Sequence, residues 1–94
     1  MEYWKVRWFH EFPDEAIVFY SEIGDDGYEV RKVQLYRDGR RLKADCVYES
    51  GEIGLSEAPV GRIEDVAAQS EFAAEIIELG EFKSAWDRAA WARG

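Results

Sequence analysis

The run from Met1 to His10 constrains the fold more than any other stretch of this chain. Its residues alternate in character: one phase holds Trp4, Val6 and Trp8, and the other holds Tyr3, Lys5, Arg7 and Phe9. A period of two predicts a half-buried β-strand over residues 2–9. Since an isolated strand is not stable in water, we expect the rest of the chain to pair with this strand and cover its apolar face.

Three further segments carry strand signals. Residues 16–23 are apolar in both phases, which favours a central strand. The phase changes within residues 28–36, and we expect a β-bulge near Arg31-Lys32 to reconcile the two halves. Asp38-Gly39 predicts a hairpin that leads into a fourth strand over 41–49.

The C-terminal half predicts one irregular loop, one short strand and two helices. Residues 50–61 are rich in glycine and indicate the loop, Arg62 to Ala68 the first helix, and Ala74 to Ile77 the strand. The best helix covers 79–92, because its apolar residues follow the i, i+3, i+4, i+7, i+8 spacing of a single buried face. Glu78 is a mediocre N-cap for it.

The length of 94 residues fits a single domain, 1–94. We expect an α+β fold: a mostly antiparallel sheet of four to five strands with the C-terminal helix, about 79–92, packed on one face. In this interpretation Trp4 and Trp8 form core beneath a helix that carries Trp86.

The charge is unevenly distributed. The net charge is −8, and residues 44–82 carry ten acids against a single base, Arg62. A phosphate backbone would be repelled, so we expect no direct nucleic-acid binding. A basic protein partner would be attracted by the same field. The alternative, which we favour for most of this charge, is an acidic surface that serves solubility.

Cysteine and histidine are scarce, with Cys46 and His10 one each. A single cysteine excludes an internal disulfide and favours a reducing compartment, and Cys46 itself fits a buried structural thiol. A conventional zinc site is nearly excluded, and we expect no metal and no cofactor. Asp25, Asp26 and Glu29 could hold a hard cation, but their spacing matches no calcium loop, and turn chemistry explains Asp25-Asp26-Gly27. With no signal-peptide pattern and no transmembrane run, we expect a cytoplasmic protein and no membrane partner.

Several short motifs run through the chain in a fixed order. They are Lys5-Val6-Arg7-Trp8, Phe12-Pro13-Asp14-Glu15, Tyr20-Ser21-Glu22, Tyr28-Glu29-Val30-Arg31-Lys32-Val33, Asp38-Gly39, and Glu81-Phe82 with Trp86. Together they resemble a family of small acidic bacterial proteins, domain of unknown function 6881, over nearly the whole chain. The resemblance implies a bacterial, intracellular module and brings no activity with it.

His10 is the one residue whose usual pKa lies near neutrality. A functional interpretation makes it a general base or a pH-sensitive contact. We favour a turn histidine bonded to a neighbouring carboxylate, because the sequence nominates no nucleophile or metal beside it. A ligand pocket would use Arg7, His10, Asp14 and Arg31.

The basic run 31–43 holds half of all the cations and is interpreted as a solvated hairpin face that pairs across strands with Glu and Asp. Contact with an acidic ligand or RNA is the alternative. Trp91 lies off the helical stripe and is the candidate for an exposed contact.

Two functions from different classes follow. We prefer a non-enzymatic protein-binding module, immunity-like or inhibitor-like, whose acidic segment covers a basic partner such as a nuclease toxin. Its candidate contact residues are Glu52, Glu57, Glu64, Asp65 and Trp91. The alternative is a small-ligand-binding or enzymatic domain with the pocket around Arg7, His10, Asp14 and Arg31. A third interpretation is a homo-oligomer formed through a strand edge or Trp91.

Overall fold

The fold is taken from a computed structural model, which describes residues 1–45, 55 and 59–91. Within these residues the chain forms six strands and two helices. In chain order they are β1 (Glu2–Trp8), β2 (Ala16–Ile23), β3 (Glu29–Tyr36), β4 (Arg41–Asp45), α1 (Ile63–Ala67), β5 (Phe72–Ile77), α2 (Leu79–Arg88) and β6 (Ala90–Trp91). Cys46, the end of the predicted fourth strand, and most of the predicted loop 50–61 lie outside the described residues.

All described strands join one sheet, in the order β5-β1-β2-β3-β4-β6. Every neighbouring pair is antiparallel except β4 and β6, which are parallel. The predicted α+β class with a mostly antiparallel sheet and a C-terminal helix is confirmed, and the sheet gains a sixth, two-residue strand. The N-terminal strand β1 lies between β2 and β5, so the chain does pair with it on both sides.

The pairing register sorts side chains onto two faces of the sheet, since directly paired residues point the same way. Trp4 pairs with Ser21 and with Ile76, and Val6 pairs with Phe19 and with Ala74. This is the α1 face. Tyr3, Lys5 and Arg7 point to the opposite side, the α2 face.

The main core cluster lies on the α1 face. Trp4, Val6, Ile23 and Ile63 are buried together, and Phe72 and other partly buried side chains pack around them. The expectation that Trp4 and Trp8 lie beneath Trp86 is therefore wrong. Tyr3 is the β1 aromatic that meets α2, with its ring 5.3 Å from that of Phe82. Aromatic residues occupy both phases of β1, so alternation alone does not tell which face each helix covers.

The α2 helix is anchored by Phe82, which is fully buried. Val33, on the same face of the sheet, is also fully buried. The N-cap of α2 is Glu78, which makes no side-chain capping bond. The helix ends at Arg88, earlier than the predicted residue 92, because Ala89 is extended and Ala90 and Trp91 pair with β4. In place of a last helical turn, the chain gains packing between two aromatic rings. The Trp91 ring contacts the Trp86 ring edge-on, with 5.4 Å between the ring centres.

The bulge and the hairpin both occur close to where the sequence predicts them. Glu22 pairs with Arg31 and Ile23 with Glu29, so the extra residue of β3 is Val30, one residue before the predicted position. In the hairpin, Gly39 has φ +94° and donates its N–H to the carbonyl of Tyr36 at 3.0 Å. A residue with a side chain rarely adopts that backbone conformation, which explains the glycine.

Candidate functional site

Exposed carboxylates gather at the β5 end of the sheet. The acidic edge, as we name it, comprises six exposed acids on α1, β5 and the start of α2: Glu64, Asp65, Glu71, Glu75, Glu78 and Glu81. They lie on neighbouring elements, because α1 packs against β5 and α2 begins two residues after β5 ends. Arg62 is the one base between residues 59 and 82.

Two acids of the acidic edge form ion pairs. Glu64 lies 3.5 Å from Arg62, and Glu81 lies 3.6 Å from Lys5. Within the described part of the chain the other four carboxylates make no ion pair. Exposed pairs of this kind contribute little to stability, so the acids are not explained by folding.

Large apolar side chains lie among these acids. Ile76, near the end of β5, is 59% exposed, and Leu79, the first residue of α2, is 51% exposed. They are three positions apart in the chain, so their Cα atoms lie no more than about 11 Å apart. Glu75 and Glu78 flank them in the chain. An apolar centre with a charged rim is the composition found in protein–protein interfaces.

Only part of the predicted partner-binding set falls on this edge. Glu64 and Asp65 lie exposed in the first turn of α1. Trp91 is 40% exposed but belongs to β6, at the opposite end of the sheet. Five strand spacings separate β5 from β6, about 24 Å along the sheet. Glu52 and Glu57 lie outside the described residues.

His10 is held by backbone groups and makes none of the carboxylate bonds expected for it. Its Nε2–H donates to the carbonyl of Ala16 at 2.8 Å, and its Nδ1 accepts from the backbone N–H of Phe12 at 3.0 Å. These bonds select the neutral Nε2–H tautomer. The ring also packs 4.0 Å from that of Trp8. Both ring nitrogens serve the β1–β2 loop, which leaves neither for proton transfer.

The four residues of the predicted ligand pocket do not converge. Arg7 and His10 line one cavity, whereas Asp14 lines a second cavity with Trp8 and Phe12. Arg31 is turned under α2, where its Nε and Nη2 donate to Glu22 at 2.7 and 2.9 Å.

Glu22 and Arg31 form an ion pair on the sheet beneath α2, which we call the pin. The guanidinium carbon lies 5.0 Å from the centre of the Phe82 ring and 4.8 Å from that of Trp86. Its hydrogen bond to Glu22 holds the pKa of that carboxyl below its usual value. Burial, together with a hydrogen bond to Glu22, raises the pKa of the Tyr3 hydroxyl. The pin thus accounts for Arg31 as a structural residue.

The exposed residues Ile76 and Leu79 were not among the candidates found by sequence reasoning. Ile76 is in phase with Phe72 and Ala74, and Leu79 lies three residues before the buried Phe82. Periodicity therefore predicts that both are buried. Their exposure follows from the place of β5 at the end of the sheet. The usable signal was the composition of Glu75-Ile76-Ile77-Glu78-Leu79, in which acids and large apolar residues are mixed.

Some of the other acids in the described ranges accept hydrogen bonds within the fold. Asp26 accepts from the backbone N–H of Tyr28 at 3.0 Å, and Glu29 accepts from the Ser21 hydroxyl at 2.8 Å. Among residues 1–45, 55 and 59–91 there is no group of three or more His, Cys, Asp or Glu placed to hold a metal ion. In the same residues, neither helix has the length and apolar character needed to cross a membrane.

Fold and surface together define a small α+β module: one six-stranded sheet, a helix on each face, and an acidic edge with an apolar centre. The model of a domain of unknown function, DUF6881, matches residues 2–91, and the chain belongs to that family. No curated protein and no solved structure matches it.

Proposed function

We propose that the protein is a non-enzymatic binding module whose acidic edge covers a basic protein partner, as an immunity or inhibitor protein does. The observation that carries the proposal is the combination at the β5 end of the sheet: exposed Ile76 and Leu79 together with six exposed carboxylates on β5 and the segments next to it. The apolar centre supplies area to bury, and the acids select for and steer a basic surface.

The chemistry of the partner follows from the charge. Proteins that bind nucleic acid present basic surfaces to the phosphate backbone, so a nuclease is one partner of the right kind. An acidic surface placed over such a site would compete with the nucleic acid for it. The reducing compartment indicated by the single cysteine, such as the bacterial cytoplasm, is part of this proposal.

An enzymatic pocket built from Arg7, His10, Asp14 and Arg31 draws less support from the geometry. Only Arg7 and His10 line a common cavity, and backbone groups occupy both ring nitrogens of His10. Self-association through β5 is opposed by like charge, since two copies meeting there would bring their acidic edges together.

The test is affinity capture from the native lysate at low and high salt, read by mass spectrometry, with two charge-reversed variants. Glu75→Lys with Glu78→Lys alters the acidic edge. Glu11→Lys with Glu15→Lys is the matched control, because these exposed acids lie in the β1–β2 loop. Each variant moves the net charge from −8 to −4, since every Glu→Lys change adds two units.

We expect the wild type and the loop variant to retain the same basic protein at low salt, with weaker retention at high salt. The edge variant should lose it. Equal retention by both variants, or capture that salt does not weaken, would refute the acidic edge as the binding surface.

A further inference from the structure

The α2 helix leaves part of its sheet face uncovered. One row of paired residues across that face is Ala73, Arg7, Val18, Leu35 and Arg41, taken from β5 to β4. Phe82 and Trp86 lie instead over Tyr3, Arg31 and Lys43, at the other end of the same strands. The uncovered row therefore forms a floor with two aliphatic side chains between two arginines.

A cavity of about 410 Å³ lies on this floor. Its lining includes Val18, Leu35 and Tyr20 at the base, with the Phe9 ring at the side. A second cavity of about 290 Å³ shares Lys5, Arg7 and Phe9 with the first and continues toward β5. The larger volume is in the range of small-molecule sites, and an apolar base with a few polar groups is their usual composition.

The rim of the larger cavity is cationic. Three of its lining side chains, Lys5, Arg7 and Arg37, are basic, and among its described lining residues there is no acid. Lys5 forms an ion pair with Glu81 at 3.6 Å, and Arg37 donates a hydrogen bond to the His10 carbonyl at 2.7 Å. Arg7 is exposed and makes no ion pair or hydrogen bond with the part of the chain that the structure describes.

Such a rim is unusual on a chain of net charge −8. The like charges repel one another, and a bound anion would relieve that repulsion. Guanidinium groups bind carboxylate and phosphate through two parallel hydrogen bonds, and the low-dielectric floor strengthens the attraction. Glu75 lines only the smaller cavity and Arg37 lines only the larger one, so the anionic group fits best on the side of Arg7 that faces Arg37.

We propose that this groove is a binding site for a small organic anion with a planar apolar body and a terminal carboxylate or phosphate. The body lies on Val18, Leu35 and Tyr20, and the anionic group meets Arg7 and Arg37. Ile76 points to the opposite face of the sheet from this site, and occupation of the site does not depend on the proposed protein partner.

The experiment is isothermal titration of the full chain with two probes, adenosine monophosphate for the phosphate group and indole-3-acetate for the carboxylate. Adenosine and indole are the uncharged controls. We expect saturable binding of at least one anion and none of its uncharged control. The probe that binds identifies which anionic group the site prefers.

Arg7→Ala is the decisive variant, because an exposed and unpaired side chain is removed without disturbing the fold. Losing a charge-assisted contact should weaken binding about tenfold or more. Arg62→Ala, on the acidic edge, removes the same charge and should leave the affinity unchanged. The proposal is overturned when neither anion binds up to about 10 mM, or when Arg7→Ala binds as tightly as Arg62→Ala.

Discussion

The pin between Glu22 and Arg31 is expected to hold α2 on the sheet, and replacing Arg31 with methionine tests this. Methionine keeps most of the apolar stem, and it removes the guanidinium with its charge, its hydrogen bonds to Glu22 and its contacts with the Phe82 and Trp86 rings. The carboxylate of Glu22 is only 8% exposed and would remain in place without its partner.

The expected cost follows from that burial. Removing one partner of a buried ion pair costs about 3–5 kcal/mol, because the other charge is left desolvated. The Arg31 side chain is 28% exposed, so water already screens part of the interaction. We therefore expect the free energy of unfolding to fall by about 2–3 kcal/mol. For a domain of this size the melting temperature should drop by about 10–20 °C.

The assay is chemical denaturation of four proteins: wild type, Glu22→Gln, Arg31→Met and the double variant. The cycle isolates the pairing energy, which should be about 1–2 kcal/mol. Arg40→Met is the matched control, since Arg40 also meets a carboxylate, Asp38 at 3.0 Å, and a ring, Tyr36 at 4.6 Å. That pair is exposed, so its loss should cost far less than the loss of Arg31.

The stability measured at low pH provides an independent check on the same ion pair. The pKa of Glu22 is held below its ordinary value mainly by the hydrogen bond from Arg31. A depressed carboxyl pKa contributes stability that is present above the unfolded value, about 4.3, and is lost as the pH falls through the lower folded value. The stabilities of wild type and Arg31→Met should therefore converge in acid. A loss no larger than that of Arg40→Met, or a difference independent of pH, would refute the pin.

Further predictions concern the α2 anchor and two glycines whose backbone conformations differ. Phe82→Ala should destabilise the protein by about 3–5 kcal/mol in denaturant titration, because Phe82 is fully buried; a loss below about 1 kcal/mol would show that α2 is not docked as described. Gly39→Ala should cost about 1–2 kcal/mol because its φ is +94°. Gly80→Ala meets no atom within 4 Å and should instead stabilise by about 0.5–1 kcal/mol, so equal effects at the two glycines would contradict both assignments.

Local pattern predicted the elements well, because alternation and turn residues act over a few positions. The strand at β1, the bulge near Arg31 and the hairpin at Gly39 all follow from neighbours in sequence. The two-residue strand β6 is too short for any periodicity to show. The apolar spacing through Ala89 and Ala90 therefore favours a longer helix. In the structure the helix ends earlier, and Trp91 packs against Trp86.

The remaining features depend on the strand order and register, which the local sequence pattern does not predict. Arg31 looked like a solvated cation, because its partner Glu22 is nine residues away and is revealed only by the strand register. Charge counting found Glu64 and Asp65. Trp91 joined them as a candidate because it lies off the helical stripe, but it is at the far edge of the sheet. Whether Ile76 is covered depends on the strand order, which the sequence does not state.

The most direct test of the acidic edge is hydrogen exchange on the protein alone and in complex with the captured basic partner. Our account predicts new protection at β5 and at the first turn of α2, around Ile76 and Leu79, with β6 unchanged. Protection confined to β6 and Trp91, or absent from β5, would contradict the proposal that this edge is where the partner binds.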